Sequence, residues 1–170
     1  MNLRKLFEAQ EFDLIIQHLE TSEKKLDYKE LNILAISYIN KERYDLALPL
    51  FIKLSKIKQK DPALLFPLAH TYYKLGKFRL AAEAYSDLWK ATNDINFKTR
   101  SDCLSIMAEP NLFSSERLSS IISNDPKALK TIVSMCGKTH GSKILQIFKK
   151  IEILQEDWEF SLVDLLVIRN

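Results

Sequence analysis

Three histidines, two cysteines and one Gly-Lys-Thr run are the residues of this 170-residue chain whose types could do chemistry. A metal site would want histidines one helical turn apart or cysteines in a close pair, and a nucleophile would want a base within reach. His18, His70 and His140 are far apart in sequence, and Cys103 and Cys136 show neither a C-x-x-C nor a histidine-paired spacing. There is no H-E-x-x-H motif and no serine in a nucleophile elbow, so the pattern predicts no enzyme, no metal and no cofactor. Gly137-Lys138-Thr139 imitates the end of a phosphate-binding loop, but the glycine that should open that loop falls at Ile132. The segment before it has helical spacing where a strand would be required.

Composition narrows the class further. With 46% hydrophobic and 28% charged residues the chain can bury one sizeable core, as one domain or one continuous repeat array. Three glycines and five prolines leave few turn-forming sites and favour long helices over many hairpins. The net charge of +3 is small and the lysines are spread among nearly as many carboxylates, so the chain reads as having no basic arm and no acidic tail. Lys53, Lys56, Lys58 and Lys60 are the densest basic stretch, yet no aromatics interleave them and they sit where a helix should end. They read as a solvated helix terminus, and nucleic acid is not an expected partner. The cysteines lie in apolar-periodic segments and read as buried thiols of a reducing compartment. The N-terminus turns charged at Arg4, and the apolar run 162–168 is short and broken by Asp164, so neither a leader nor a membrane span is expected. A soluble cytoplasmic protein follows as the expectation.

The elements that would position any site come from an internal match at a shift of 34 residues, between 28–61 and 62–95. Leu31 falls on Leu65, Leu34 on Leu68, Ala35 on Ala69, Tyr38 on Tyr72, Tyr44 on Phe78, Ala47 on Ala81, Phe51 on Tyr85 and Leu54 on Leu88. Within each copy the apolar residues recur at three and four, so each copy is two helices. Lys74-Leu75-Gly76-Lys77-Phe78 marks the join in the second copy, since glycine readily takes the left-handed conformation that ends a helix. Lys41-Glu42-Arg43-Tyr44 is a weaker turn at the same place. The alanines allow close helix approach while the aromatics fill space toward the next hairpin, so hairpins must stack to bury their faces.

Leu65, Leu68, Ala69, Tyr72, Gly76, Phe78, Ala81, Tyr85 and Leu88 resemble the tetratricopeptide-repeat pattern at its characteristic period. That resemblance implies an all-α, helix-hairpin solenoid closed by a C-terminal capping helix. The usual tryptophan is Leu65 here, and the closing proline is absent at Gln59 and Asn93. Residues 1–27, with Phe7, Phe12, Ile15, Ile16 and Leu19, read as a degenerate first hairpin shortened by about two residues. Residues 96–125 read as a drifted repeat carrying Phe97, Leu104, Ile106, Met107, Leu112, Leu118, Ile121 and Ile122. In 126–170, Asp125-Pro126 should start a helix bearing Leu129, Ile132, Val133 and Cys136, Gly137 should end it, and Ser142 should open a final capping segment.

The resemblance also implies a binding face, because in this family the first helix of each hairpin lines a concave groove. The matching positions are Asn32, Ile36 and Ile39 in the first copy, Phe66, His70 and Tyr73 in the second, and Arg100, Leu104 and Met107 in the third. Family members that grip C-terminal carboxylates place lysine, asparagine and arginine here. Ile36, Phe66 and His70 do not suit that task, and Arg100 alone cannot hold a carboxylate from several sides. An apolar, aromatic groove fits a hydrophobic peptide or helix instead. The expected partner is therefore a protein segment with hydrophobic anchors. Size and groove character are similar to the small tetratricopeptide chaperones of type III secretion; the alternative is a structural subunit or adaptor of a larger complex.

Overall fold

The computed structural model describes residues 2–109 and 114–125 together with Ala128, Thr131, Ile132 and Met135. Among them the regular elements are all helices: α1 Leu3–Glu8, α2 Phe12–Glu20, α3 Tyr28–Asn40, α4 Tyr44–Ile57, α5 Pro62–Lys74, α6 Phe78–Thr92, α7 Ile95–Ala108 and α8 Ser115–Asn124. Side chains start the first helix of each pair. Asn2 caps α1, Asp61 caps α5 ahead of Pro62, Asp94 caps α7, and Asp27 with Glu30 forms a reciprocal capping box on α3. Each satisfies amide groups that have no partner inside the helix. The second helices α2, α4 and α6 have no side-chain cap, because the chain enters them directly from a tight turn.

That turn recurs. Gln10, Glu42 and Gly76 all adopt left-handed backbone, with φ of 59°, 57° and 69°. In each, the left-handed residue's amide donates to the carbonyl three residues back and the next amide donates to the carbonyl five back: Gln10 to Phe7 and Glu11 to Leu6, Glu42 to Ile39 and Arg43 to Tyr38, Gly76 to Tyr73 and Lys77 to Tyr72. The turn at Glu42, which the sequence makes look weaker, thus has the same geometry as the glycine turn. A glutamate can hold it because helix packing on both sides outweighs a left-handed penalty of about 1–2 kcal/mol.

Three residues join α1 to α2, α3 to α4 and α5 to α6. Since each joined pair packs together, these are antiparallel hairpins, and α2 on α3, α4 on α5 and α6 on α7 link one hairpin to the next. Ala35, Ala47, Ala69 and Ala81 are all 0% exposed. Their single methyl groups let the helices approach, while buried Phe51 and Tyr85 fill the space beyond. The core divides into two clusters that meet on α5: Leu64 and Leu68 belong to the first, Leu65 and Ala69 to the second, and Tyr72 packs against both. One helix with two apolar faces carries the core from hairpin to hairpin, the arrangement of a stacked solenoid.

Polar contacts fasten neighbouring units. The Tyr38 hydroxyl donates to the Glu20 carboxylate, and burial followed by that bond pushes its pKa up to about 12. Lys41 in the second turn pairs with Asp13 of α2 at 2.7 Å. The Thr99 hydroxyl donates to buried Asp125 at 2.8 Å, tying α7 to the end of α8. Cys103 is buried, whereas Cys136, Leu112, Pro126, Leu129, Val133, Gly137, Ser142 and the expected capping segment lie outside the described residues. Ala128, Ile132 and Met135 are buried in the second cluster.

Candidate protein-binding surface

The row expected from the repeat register lies on α3, α5 and α7, and the structure sorts it into three groups. Asn32, Ile36 and Ile39 on α3 are half-buried, and the two isoleucines pack against the first core cluster, which includes Ile15, Ile16 and Leu19 of α2. Asn32 Oδ1 is buried without a hydrogen-bond donor. Phe66 on α5 is 47% exposed, a large fraction for a phenylalanine, and His70 beside it on the helix is half-buried. Tyr73 and Met107 lie farther along. Tyr73 meets Phe78 at 6.3 Å between ring centroids, and Met107 shares a shallow cavity of about 370 Å³ with Phe78 and Leu80.

Leu104 leaves the row. It is 0% exposed and belongs to the second core cluster with Cys103 and Ile106, so it presents no surface. Cys103, Leu104 and Ile106 of α7 turn inward together, into the cluster they share with α6 and α8.

Phe66 does not stand alone. Its ring lies 6.4 Å from that of Tyr85 and 6.0 Å from that of Phe97, and Tyr85 and Phe97 stack at 6.2 Å with 22° between planes. Tyr85 is almost fully buried, so it forms the floor on which Phe66 and Phe97 rest. Exposed Arg100 places its guanidinium 5.9 Å from the Tyr85 ring, Tyr44 and His70 meet edge-on at 6.0 Å, and Lys74 Nζ lies over the Tyr44 ring at 5.7 Å. α5 and α7 thus meet through rings, with two cations at the margin.

No protein-family model matches the chain, and no curated protein matches it in sequence. Among solved structures, MamA MSR-1 C2 superposes with a TM-score of 0.61 at 16% identity, covering 86% of this chain and 88% of that one. MamA is a tetratricopeptide-repeat protein. The fold is therefore a tetratricopeptide-repeat solenoid.

In a solenoid of hairpins, the first helices of successive units present one extended face. Tyr44, Lys74, Tyr85 and Phe97 belong with this surface and escaped the sequence reading. Phe97 was legible: it stands three residues before Arg100, hence on the same side of α7. Tyr85 and Tyr44 sit on second helices, where the register alone assigns them to the core. Electrostatics follow from the two cations. Burial first, and then the charges of Lys74 and Arg100, hold the His70 pKa below the usual imidazole value, so the neutral ring is favoured. Burial raises the Tyr85 hydroxyl, and Arg100 opposes that rise.

A cleft of about 700 Å³ between α6 and α7 is of another kind. Arg79, Glu83, Asp87, Lys90, Ser105 and Arg117 line it, and two ion pairs lie in it: Arg79 meets Glu109 at 3.3 Å and Lys90 meets Asp87 at 3.3 Å. It offers no aromatic anchor. Among the described residues no cluster of histidine, cysteine or carboxylate could hold a metal, and no helix is long and apolar enough to cross a membrane.

Proposed function

We propose that the chain is a non-enzymatic protein-interaction scaffold whose first-helix face binds a hydrophobic peptide or helix of a partner protein. The observation that carries this is Phe66, 47% exposed on top of a packed cluster of Tyr85 and Phe97. A large ring held by other rings presents apolar area with little freedom left to lose on binding, the property of an interface anchor. His70, Tyr73 and Arg100 extend the surface beside it. Keeping a secreted protein soluble in the cytoplasm before export is the form of this role that an apolar, aromatic face favours.

Comparative capture tests it. Proteins retained by the intact chain and lost with Phe66→Ala, while the melting curve stays put, support the face, and the affinity loss should be roughly 1–3 kcal/mol. One exported protein among them fits a chaperone, and a fixed-stoichiometry assembly fits a structural subunit. Wild-type affinity for every partner in Phe66→Ala would remove this surface from consideration.

A further inference from the structure

Among the described residues, Ile57 at the end of α4 is the most exposed large hydrophobic side chain, at 58%. Lysines surround it in sequence. Lys53 and Lys56 precede it on α4, Lys58 caps the helix, and Lys60 follows in left-handed backbone with φ of 58°. All four are exposed, and none takes part in the ion pairs among the described residues. A helix end reads as the natural place for such a run, and Lys56 and Lys58 do complement the carbonyl end of α4. That role explains neither the further lysines nor an isoleucine left in water among them.

The tertiary fold enlarges the patch. Because α3 and α4 form an antiparallel hairpin, the end of α4 lies beside the start of α3, and Lys58 Nζ sits 5.0 Å from the centroid of the Tyr28 ring. Exposed Lys25 and Lys29, on either side of that tyrosine in sequence, therefore join the same end of the hairpin. Carboxylates there are mostly engaged. Asp27 and Asp61 accept backbone amides as helix caps, and Glu30 accepts from Lys24 at 2.7 Å and from the Asp27 amide. Within 22–30 and 53–61, Glu23 is the carboxylate left without such a bond among the described residues.

We propose that this end of the α3–α4 hairpin docks on an anionic lipid bilayer, its lysine ammonium groups against the headgroups and Ile57 entering the boundary between headgroups and acyl chains. The association is peripheral, and no helix among the described residues is long and apolar enough to cross a membrane. This surface shares no residue with the first-helix face. Three features favour a bilayer over an acidic protein. The cations are all lysine, which is depleted at protein interfaces where arginine is enriched, and neither 22–30 nor 53–61 contains an arginine. The exposed apolar group is aliphatic, while the aromatic ring at this end, Tyr28, is half-buried under Lys58 and offers neither a protein anchor nor a platform for bases. Clustered lysines also suit a charged sheet, where each multiplies partition by roughly five without needing an individual partner.

Co-sedimentation of the full-length chain with vesicles tests this. Vesicles of phosphatidylcholine with about 30% phosphatidylserine should retain the protein, and vesicles of phosphatidylcholine alone should not. Retention at about 0.05 M salt should collapse at about 0.5 M. Lys53→Gln, Lys56→Gln and Lys60→Gln together should weaken partition roughly hundredfold with an unchanged melting curve, since all three side chains are exposed. Lys5→Gln, Lys41→Gln and Lys77→Gln remove the same charge from exposed positions toward the hairpin turns and should weaken it far less. Ile57→Ser should cost a further severalfold, as the inserted aliphatic group is lost. Failure of the unmodified chain to bind phosphatidylserine vesicles, or undiminished binding by the first triple variant, overturns the proposal. Equal losses in the two triple variants overturn it in favour of net charge alone. Vesicle binding indifferent to Ile57→Ser, beside equally tight and lysine-dependent binding to soluble poly-glutamate, overturns the bilayer in favour of an acidic protein.

Discussion

The hairpins α3–α4 and α5–α6 build the same turn from Glu42 and Gly76, and their first helices carry Ile36 and His70, or Asn32 and Phe66, at equivalent positions with different fates. In the earlier hairpin the isoleucines settle against a core cluster shared with α2, whereas in the later one Phe66 stays 47% exposed over Tyr85 and Phe97. Equivalent register therefore secures equivalent backbone, and the neighbouring unit decides whether a side chain becomes core or surface. Solenoids separate these roles because each repeat contacts only its neighbours.

Overpacking should strike both hairpins alike and produce the largest effect. Ala47→Leu and Ala81→Leu each add three carbons where a methyl group is 0% exposed, and each should cost roughly 1–3 kcal/mol. Thermal unfolding measures it, with about 2–4 °C lost per kcal/mol for a chain of this size. A tolerated Ala47→Leu beside a damaging Ala81→Leu would break the equivalence.

The two first-helix rows should part company under truncation. Ile36→Ala should lower stability by about 1–2 kcal/mol because it opens space against the first cluster. Phe66→Ala should instead weaken partner binding and leave the melting curve nearly unchanged. Equal losses of stability would place Phe66 in the core.

Smaller and opposite effects are expected at the turns. Gly76→Ala meets no atom within 4 Å of the added carbon, so its cost is the left-handed backbone alone, about 1 kcal/mol. Glu42→Gly should relieve the same strain and stabilise by about 0.5–1 kcal/mol. Chemical denaturation midpoints of the two variants should move in opposite directions, and a shift of the same sign would mean that something other than backbone conformation governs one turn.

The smallest effect is in pH. His70 has its folded pKa lowered by burial, Lys74 and Arg100, so the unfolded chain binds the proton more readily. Its contribution is complete above the ordinary imidazole value of about 6.5 and is lost as pH falls through the lowered folded pKa. Stability should rise with pH across that window, and His70→Gln should flatten this part of the profile while Arg100→Gln reduces it. A wild-type profile unchanged by His70→Gln would place the ring in solvent.

The apolar spacing of Leu31, Leu34, Ala35 and Tyr38, repeated 34 residues later, determined the helices, their pairing and the all-α solenoid without any coordinates. Helical periodicity, a local property that a sequence displays directly, also put Phe66 and His70 on one side of their helix, while the face they share with Arg100 was implied by the tetratricopeptide resemblance. The exposure of that face was not legible. Leu104 shares its register with His70 yet lies wholly in the core, and Tyr44 and Tyr85, which the register assigns to packing, touch His70 and Phe66. Contacts between helices that are far apart in sequence set those outcomes, since burial depends on what the neighbouring hairpin brings. The left-handed turn at Glu42 is of the same kind: its own residues argue weakly for it, and packing on both sides holds it in place.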